Sequence, residues 1–341
     1  MERRRAREVN GEPVEPQWVG SQTSAPAKDV LYSRPATQRL ERMKLNDVID
    51  RSHALSRAYR VTSGRNFRLK DVEPDDTGKF DREDKPRAQE ALVTGRQALA
   101  ELQDRLYAQD QWALLLVFQA IDAAGKDSAI KHVMSGVNPQ GCQVHSFKGP
   151  SSEEIDHDYL WRSMKAMPER GRIGIFNRSY YEELVVVRVH PELFAKQKLP
   201  RRVVHKGIWK ERAEDICNME RYLGHNGTII RKFFLQVSKK EQRKRFLERL
   251  DKPDKNWKFS SADLHEREYW NDYMKHFEEA IARTATKEAP WYVVPADHKW
   301  FTRIVVAATV IDALASLDLK YPKVDKAQRR ELAAARKLLS S

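Results

Sequence analysis

The chain has 341 residues, and 62 basic against 49 acidic side chains leave a formal charge of +13. With 40% hydrophobic and 33% charged residues it can bury a sizeable core, and its length suits one large domain or two ordinary ones. The longest apolar run, Trp112 to Phe118, falls far short of the about 20 residues of a membrane span, and Cys142 and Cys217 form neither a disulfide framework nor a zinc spacing.

In chain order, Arg3-Arg4-Arg5 is followed by no apolar region, so no secretory signal is expected and the chain reads as a soluble, cytoplasmic protein. Residues 1–35 carry Pro13, Pro16, Pro26 and Pro35 with little apolar periodicity and read as a mobile arm. A main domain is expected over 36–325. Helices are predicted over 37–59 and 86–107, with a loop through Asp71–Asp76 between them. Strands and helices then alternate. Strands are predicted at Trp112–Phe118, Gln143–Lys148, Arg172–Phe176, Thr228–Val237 and Trp291–Val294. Helices are predicted over 126–137, 152–167, 182–189, 201–223, 261–284 and 299–317. Ser238-Lys239-Lys240-Glu241 reads as a capping box opening one more helix. Residues 326–341 read as a short charged helix or tail. The alternation predicts an α/β fold, doubly wound around a mostly parallel sheet of about five strands, with ligands at the carboxyl ends of the strands.

The positive charge is concentrated. Lys196–Arg212 has seven basic residues against one acid, and Lys239–Lys258 has nine against four; together they hold eleven of the thirteen excess charges. A polyanionic partner is one reading, and a generally basic solvated surface is the other.

Directly after the first long strand comes Ala120-Ile121-Asp122-Ala123-Ala124-Gly125-Lys126-Asp127-Ser128. It approximates the phosphate-loop pattern G-x-x-x-x-G-K-[ST], with Ala120 at the first glycine and Asp127 after the lysine. Backbone amides of Ala123, Ala124, Gly125, Lys126, Asp127 and Ser128 are candidates to face phosphate oxygens, with Lys126 as a cation on the moving phosphoryl group. Asp122 and Asp127 would repel phosphate, and Mg²⁺ (or Mn²⁺) removes that objection; Asp122 is the better ligand candidate. The plainer reading is a helix start decorated with acids for capping. The third predicted strand leads into Phe176-Asn177-Arg178, a place where phosphate-loop enzymes usually deliver an acid to the metal. Asn177 brings a carbonyl without charge, and Arg178 could neutralise phosphoryl oxygens. Residues 239–260 could form a cationic lid through Arg243, Arg245, Arg249, Lys252, Lys255 and Lys258, although a charge run is commonly just a solvated face. Lys148, Arg162 and Arg188 extend the candidate phosphate-binding set.

These segments converge on a known family. Asp122–Ser128, Ser146–Pro150 with His157–Arg162, Phe176–Glu182, Lys232–Ser238, Arg249–Pro253 with Asn256–Lys258, and Ala289–Pro295 occur in the order seen in the polyphosphate kinase 2 family, which the chain resembles over about 60–320. The resemblance implies a P-loop kinase-like three-layer α/β/α fold with a helical lid. It implies Mg²⁺-dependent phosphoryl transfer between inorganic polyphosphate and nucleotides, and a homodimer or homotetramer. It places Asp122 on metal and phosphate, Lys126 on the transferring phosphate and Arg178 on phosphate stabilisation. Many members carry Asp where this chain has Asn177, which weakens a direct metal role there. The Asn-Arg-Ser-Tyr-Tyr-Glu form resembles the branch that phosphorylates both nucleoside mono- and diphosphates. Two alternatives stand beside this reading: an ATP-dependent nucleotide or small-molecule kinase, and a non-catalytic polyanion-binding protein. A phosphate loop is superfluous for mere backbone binding, which argues against nucleic acid as the partner.

Overall fold

The computed structural model of the chain describes residues 45–340. The expected arm at 1–35, and the first residues of the helix expected over 37–59, lie outside the described residues. Among the described residues six strands form one sheet: β1 (Arg60–Val61), β2 (Ala113–Gln119), β3 (Cys142–Ser146), β4 (Ile173–Asn177), β5 (Thr228–Gln236) and β6 (Trp291–Pro295). Their order is β1-β6-β5-β2-β4-β3. All neighbours are parallel except β1, which pairs antiparallel with β6 through Arg60–Tyr292 and Val61–Trp291. The expectation of about five strands omits β1. Two residues are too few to show a period, and their pairing is with a strand more than two hundred positions away.

All seven residues of β2 are buried, as a central parallel strand covered on both faces requires. The faces can be read from β5. Lys232 reaches Glu220 on helix Ile208–His225 and the Thr284 carbonyl at the end of helix Trp270–Thr284. Its neighbour Arg231 feels Asp312 on helix Lys299–Ala315, on the opposite face. Helices Leu45–Ala58, Lys85–Gln109 and Lys126–Val133 pack with Lys299–Ala315, completing three layers. This is the P-loop kinase-like arrangement. Among the described residues no helix is long and apolar enough to cross a membrane.

Several predicted helices are interrupted, each for a local reason. The helix expected over 152–167 splits into Ser152–Asp156 and Trp161–Lys165, because Asp158 turns the chain by accepting from the Leu160 amide at 2.9 Å. The helix expected over 182–189 is a 3-10 turn, Tyr180–Glu183, followed by the single helical turn Val186–Val189. The β-branched valines there have little helical preference. The helix expected over 201–223 begins only after Gly207. The span 261–284 is broken by a 3-10 turn at Arg267–Tyr269. Residues Lys326–Leu339 form an exposed helix opened by an Asp325/Gln328 capping box.

Chain direction changes at β2. The connection from β2 leads to β3 and β4 on one side, and the chain then returns to β5 and β6 on the other. The crevice at the carboxyl end of β2 is therefore the place where this topology leaves room for a ligand.

Candidate active site

β2 ends at Gln119, and helix Lys126–Val133 starts seven residues later. The turn between them needs unusual backbone angles: Ala123 has φ 60° and Gly125, the helix N-cap, φ 108°. Such alternation makes a concave row of amides suited to an anion. A Cβ at Gly125 would meet nothing closer than 3.7 Å, so space is not the constraint; the left-handed angle is. Gly125→Ala is expected to lower stability by about 1–2 kcal/mol, measured as a shift in the urea midpoint, together with loss of activity as the loop relaxes.

Lys126 is 9% exposed and donates to the Ala120 carbonyl at 2.7 Å. Burial lowers its pKa; Asp122 opposes that shift and Arg178 adds to it. The lysine thus lies folded back over its own loop. Arg178 sits just beyond β4 with φ 64°, its amide bonded to the Phe118 carbonyl of β2 at 3.0 Å. A non-glycine residue adopts this left-handed angle only at a cost in free energy, which the surrounding strand ends must offset. Its Nη2 donates to Asp122 Oδ1 at 3.0 Å, and its Nη1 lies 3.7 Å from Glu182 Oε2. Burial alone would make Arg178 less basic, but Glu182 and Asp122 outweigh it and hold the guanidinium charged. Burial raises the Glu182 pKa against the pull of Arg178 and Lys126. Asn177 donates from Nδ2 to Asp127 Oδ1 at 2.7 Å, so its amide is tied to the loop helix.

Asp122, Arg178 and Glu182 line a cavity together with Asp263, Arg267, Trp270, Tyr273 and Phe277. Glu182 lies within the quoted sequence motif but had no predicted role. Asp263, Arg267 and Tyr273 come from a helical stretch with no motif, and only folding brings them here. Among the described residues no group of three or more His, Cys, Asp or Glu could hold a metal by itself. Mg²⁺ needs less, since one or two carboxylates suffice where phosphates and waters complete the shell. Asp122 fits that role.

The helix expected to open at Ser238 is present as Lys239–Asp251, followed by a 3-10 segment Pro253–Lys258. Its start departs from the predicted capping box. Ser238 Oγ accepts from the Glu241 amide at 3.0 Å, but the Ser238 amide donates to Asp297 instead, and Glu241 pairs with Arg245. Arg245 itself contradicts its predicted role as a lid cation. It is 4% exposed and buried against the loop, where it cannot reach a solvent-borne polymer. Arg249 is held by Asp263 at 3.0 Å and by the Lys258 carbonyl. Lys252, Arg243 and Lys258 face outward, and Lys255 lies 3.7 Å from Glu248.

The polyphosphate kinase 2 family profile matches residues 82–322. The chain belongs to the polyphosphate kinase 2 family. An ADP-polyphosphate phosphotransferase of Rhodopseudomonas palustris is 49% identical over 282 residues, covering 81% of this chain and 98% of that protein. An AMP/ADP-polyphosphate phosphotransferase of Meiothermus ruber is 42% identical over 272 residues, 80% of this chain and 97% of that one. The crystal structure of polyphosphate kinase 2 from Arthrobacter aurescens TC1 aligns with a TM-score of 0.74 at 39% identity, covering 82% of this chain and 96% of the other.

Around this family core the remaining predicted site residues separate. Lys148 is exposed, and its carbonyl accepts from Arg162 Nη1 at 2.8 Å. Arg162 is further occupied by Glu154 at 3.5 Å and by the Phe147 ring. Ser128 Oγ accepts from Arg303 at 2.8 Å, tying the loop helix to helix Lys299–Ala315. Arg188 does not join the polyphosphate kinase 2 loop cluster. It pairs with Glu279 at 2.7 Å and lies over Trp209, so it fastens one helical turn to two flanking helices.

Proposed function

We propose that this chain is a Mg²⁺-dependent phosphotransferase moving phosphoryl groups between inorganic polyphosphate and nucleotides, with both nucleoside mono- and diphosphates as acceptors. Asp122, Arg178 and Lys126 carry the reading, because they converge on one concave loop beside a cavity. The family assignment and the naming of its relatives as polyphosphate phosphotransferases support it.

Moving a phosphoryl group between phosphoanhydrides asks little covalent chemistry of the protein. The bridging P–O bond of the donor breaks with its electron pair leaving on the shortened polymer, and an acceptor phosphate oxygen forms the new P–O bond. Alignment and charge neutralisation are what the chain must supply. The loop amides orient the shared phosphoryl. Arg178, held between Asp122 and Glu182, faces its equatorial oxygens. Lys126 exchanges the Ala120 carbonyl for a phosphate oxygen. The Asp122 carboxylate would hold Mg²⁺, or Mn²⁺, which would supply positive charge to offset that of the phosphates. Water exclusion falls to the segment over 239–260, whose outward cations Arg243, Lys252 and Lys258 suit a polyanion, with the half-buried Lys255 beside them. We further expect a homodimer or homotetramer, measurable by light scattering.

The test is incubation of the purified protein with polyphosphate, Mg²⁺ and, separately, AMP, ADP, GMP and GDP, with products separated by chromatography. Di- and triphosphates should appear from both acceptor classes and vanish on chelation with EDTA. Products only from diphosphates would remove the dual-acceptor reading. Phosphoryl transfer from ATP to a nucleotide acceptor with no dependence on polyphosphate would instead favour the ordinary kinase.

A further inference from the structure

Three consecutive carbonyls of the loop are fastened from the same helix. The Asp122 carbonyl accepts from Gln242 Nε2 at 3.0 Å. The Ala123 and Ala124 carbonyls accept from Arg245 Nη1 at 3.1 and 2.7 Å. The rest of that guanidinium is also spent: Nη2 donates to the Ala296 and Asp297 carbonyls beyond β6 at 2.5 and 3.0 Å, and Nε to Glu241 at 3.0 Å. Burying an arginine is costly, and here each nitrogen recovers that cost in hydrogen bonds.

The consequence lies in peptide geometry. Across a planar trans peptide the carbonyl of one residue and the amide N–H of the next point in opposite directions. Fastening the carbonyls of 122, 123 and 124 toward helix Lys239–Asp251 turns the amides of 123, 124 and 125 away from it. The Ala124 amide closes the turn onto the Ile121 carbonyl at 3.4 Å, so Ala123 and Gly125 are left to meet an anion. We propose that Arg245, assisted by Gln242, is a positioning residue for phosphoryl transfer that aims the loop amides at the phosphate. The proposal rests on reading this loop as the phosphate cradle. Lysine cannot replace it, because one ammonium cannot span four carbonyls and a carboxylate.

The test compares Arg245→Lys, Arg245→Ala and Gln242→Ala with the wild-type protein, well below each variant's melting temperature. ATP formation per folded enzyme should fall about a hundredfold in Arg245→Lys. Methylguanidinium should restore part of the rate in Arg245→Ala, and methylammonium should not. Gln242→Ala, which frees one carbonyl, should lose about three- to tenfold, and it decides the matter if the Arg245 variants do not fold. A lowered melting temperature with an unchanged kcat in Arg245→Lys or Gln242→Ala would overturn the proposal, as a purely structural brace predicts. If the wild-type protein forms no product from polyphosphate, the functional reading fails on its own. Calorimetric titration with Mg-tripolyphosphate then tests the brace: about tenfold weaker binding by Arg245→Lys supports it, and equal affinity refutes it.

Discussion

Lys126→Ala should form ATP from ADP and polyphosphate at least about a thousandfold more slowly than the wild-type protein, with no loss of melting temperature. Asp122→Ala should fall comparably. Lys126 is the one cation whose side chain starts within the loop, and its partner in the free protein is a main-chain carbonyl that a phosphate oxygen can replace. Its removal should not harm the fold. Burial depresses its pKa, so the folded chain holds that proton less tightly than the unfolded chain does. Such a group opposes folding at neutral pH, and the penalty fades as pH rises through the depressed pKa toward the ordinary lysine range. Alanine removes the penalty along with the hydrogen bond. A coupled ATP assay and a thermal melt on the same sample check both halves, and retained activity in either variant would falsify the placement of the reacting phosphoryl at this loop.

The second large effect concerns stability. Lys232, fully buried in β5, meets Glu220 at 2.6 Å, the Tyr181 hydroxyl at 2.9 Å and the Thr284 carbonyl at 2.8 Å. Tyr180 and Tyr181 both donate to the other oxygen of Glu220, at 2.9 and 2.8 Å. Burial, then Glu220, raises both phenol pKa values, so these hydroxyls remain donors. Lys232→Met leaves a carboxylate inside the protein without its countercharge and should cost about 3–5 kcal/mol in urea denaturation. Adding Glu220→Met should recover much of that loss, because the pair stabilises little once both charges are gone. A single variant as stable as the wild-type protein would show that Glu220 takes up a proton instead. The same network fixes the turn Tyr180–Glu183, and through it the carboxylate of Glu182 beside Arg178.

Much of this was readable from residues near one another in the chain. β2 is a run of large apolar residues followed at once by Gly125-Lys126, and both strand and loop fall within a residue or two of their predicted places. The carbonyls that bury Arg245 are not local. They lie 51, 52, 121 and 122 positions away, so a sequence window shows only a basic helix and suggests a wet face. Lys232 misleads in the same manner, as a lysine inside an apolar strand whose countercharge sits on another helix. Arg303 carried no motif, and its contact with Ser128 exists only because helix Lys299–Ala315 packs against the loop helix. Arg188 shows the opposite case: a motif neighbour with the right charge that packing recruits for a structural pair with Glu279.

By occupying the rim beside β6, the two-residue strand β1 engages peptide groups that would otherwise invite a foreign strand. Among the described residues the opposite border, β3, has only β4 as a neighbour, and Val144 stands half in water there. Association by strand addition, whether between copies or in aggregation, is thereby biased toward a single flank of the molecule.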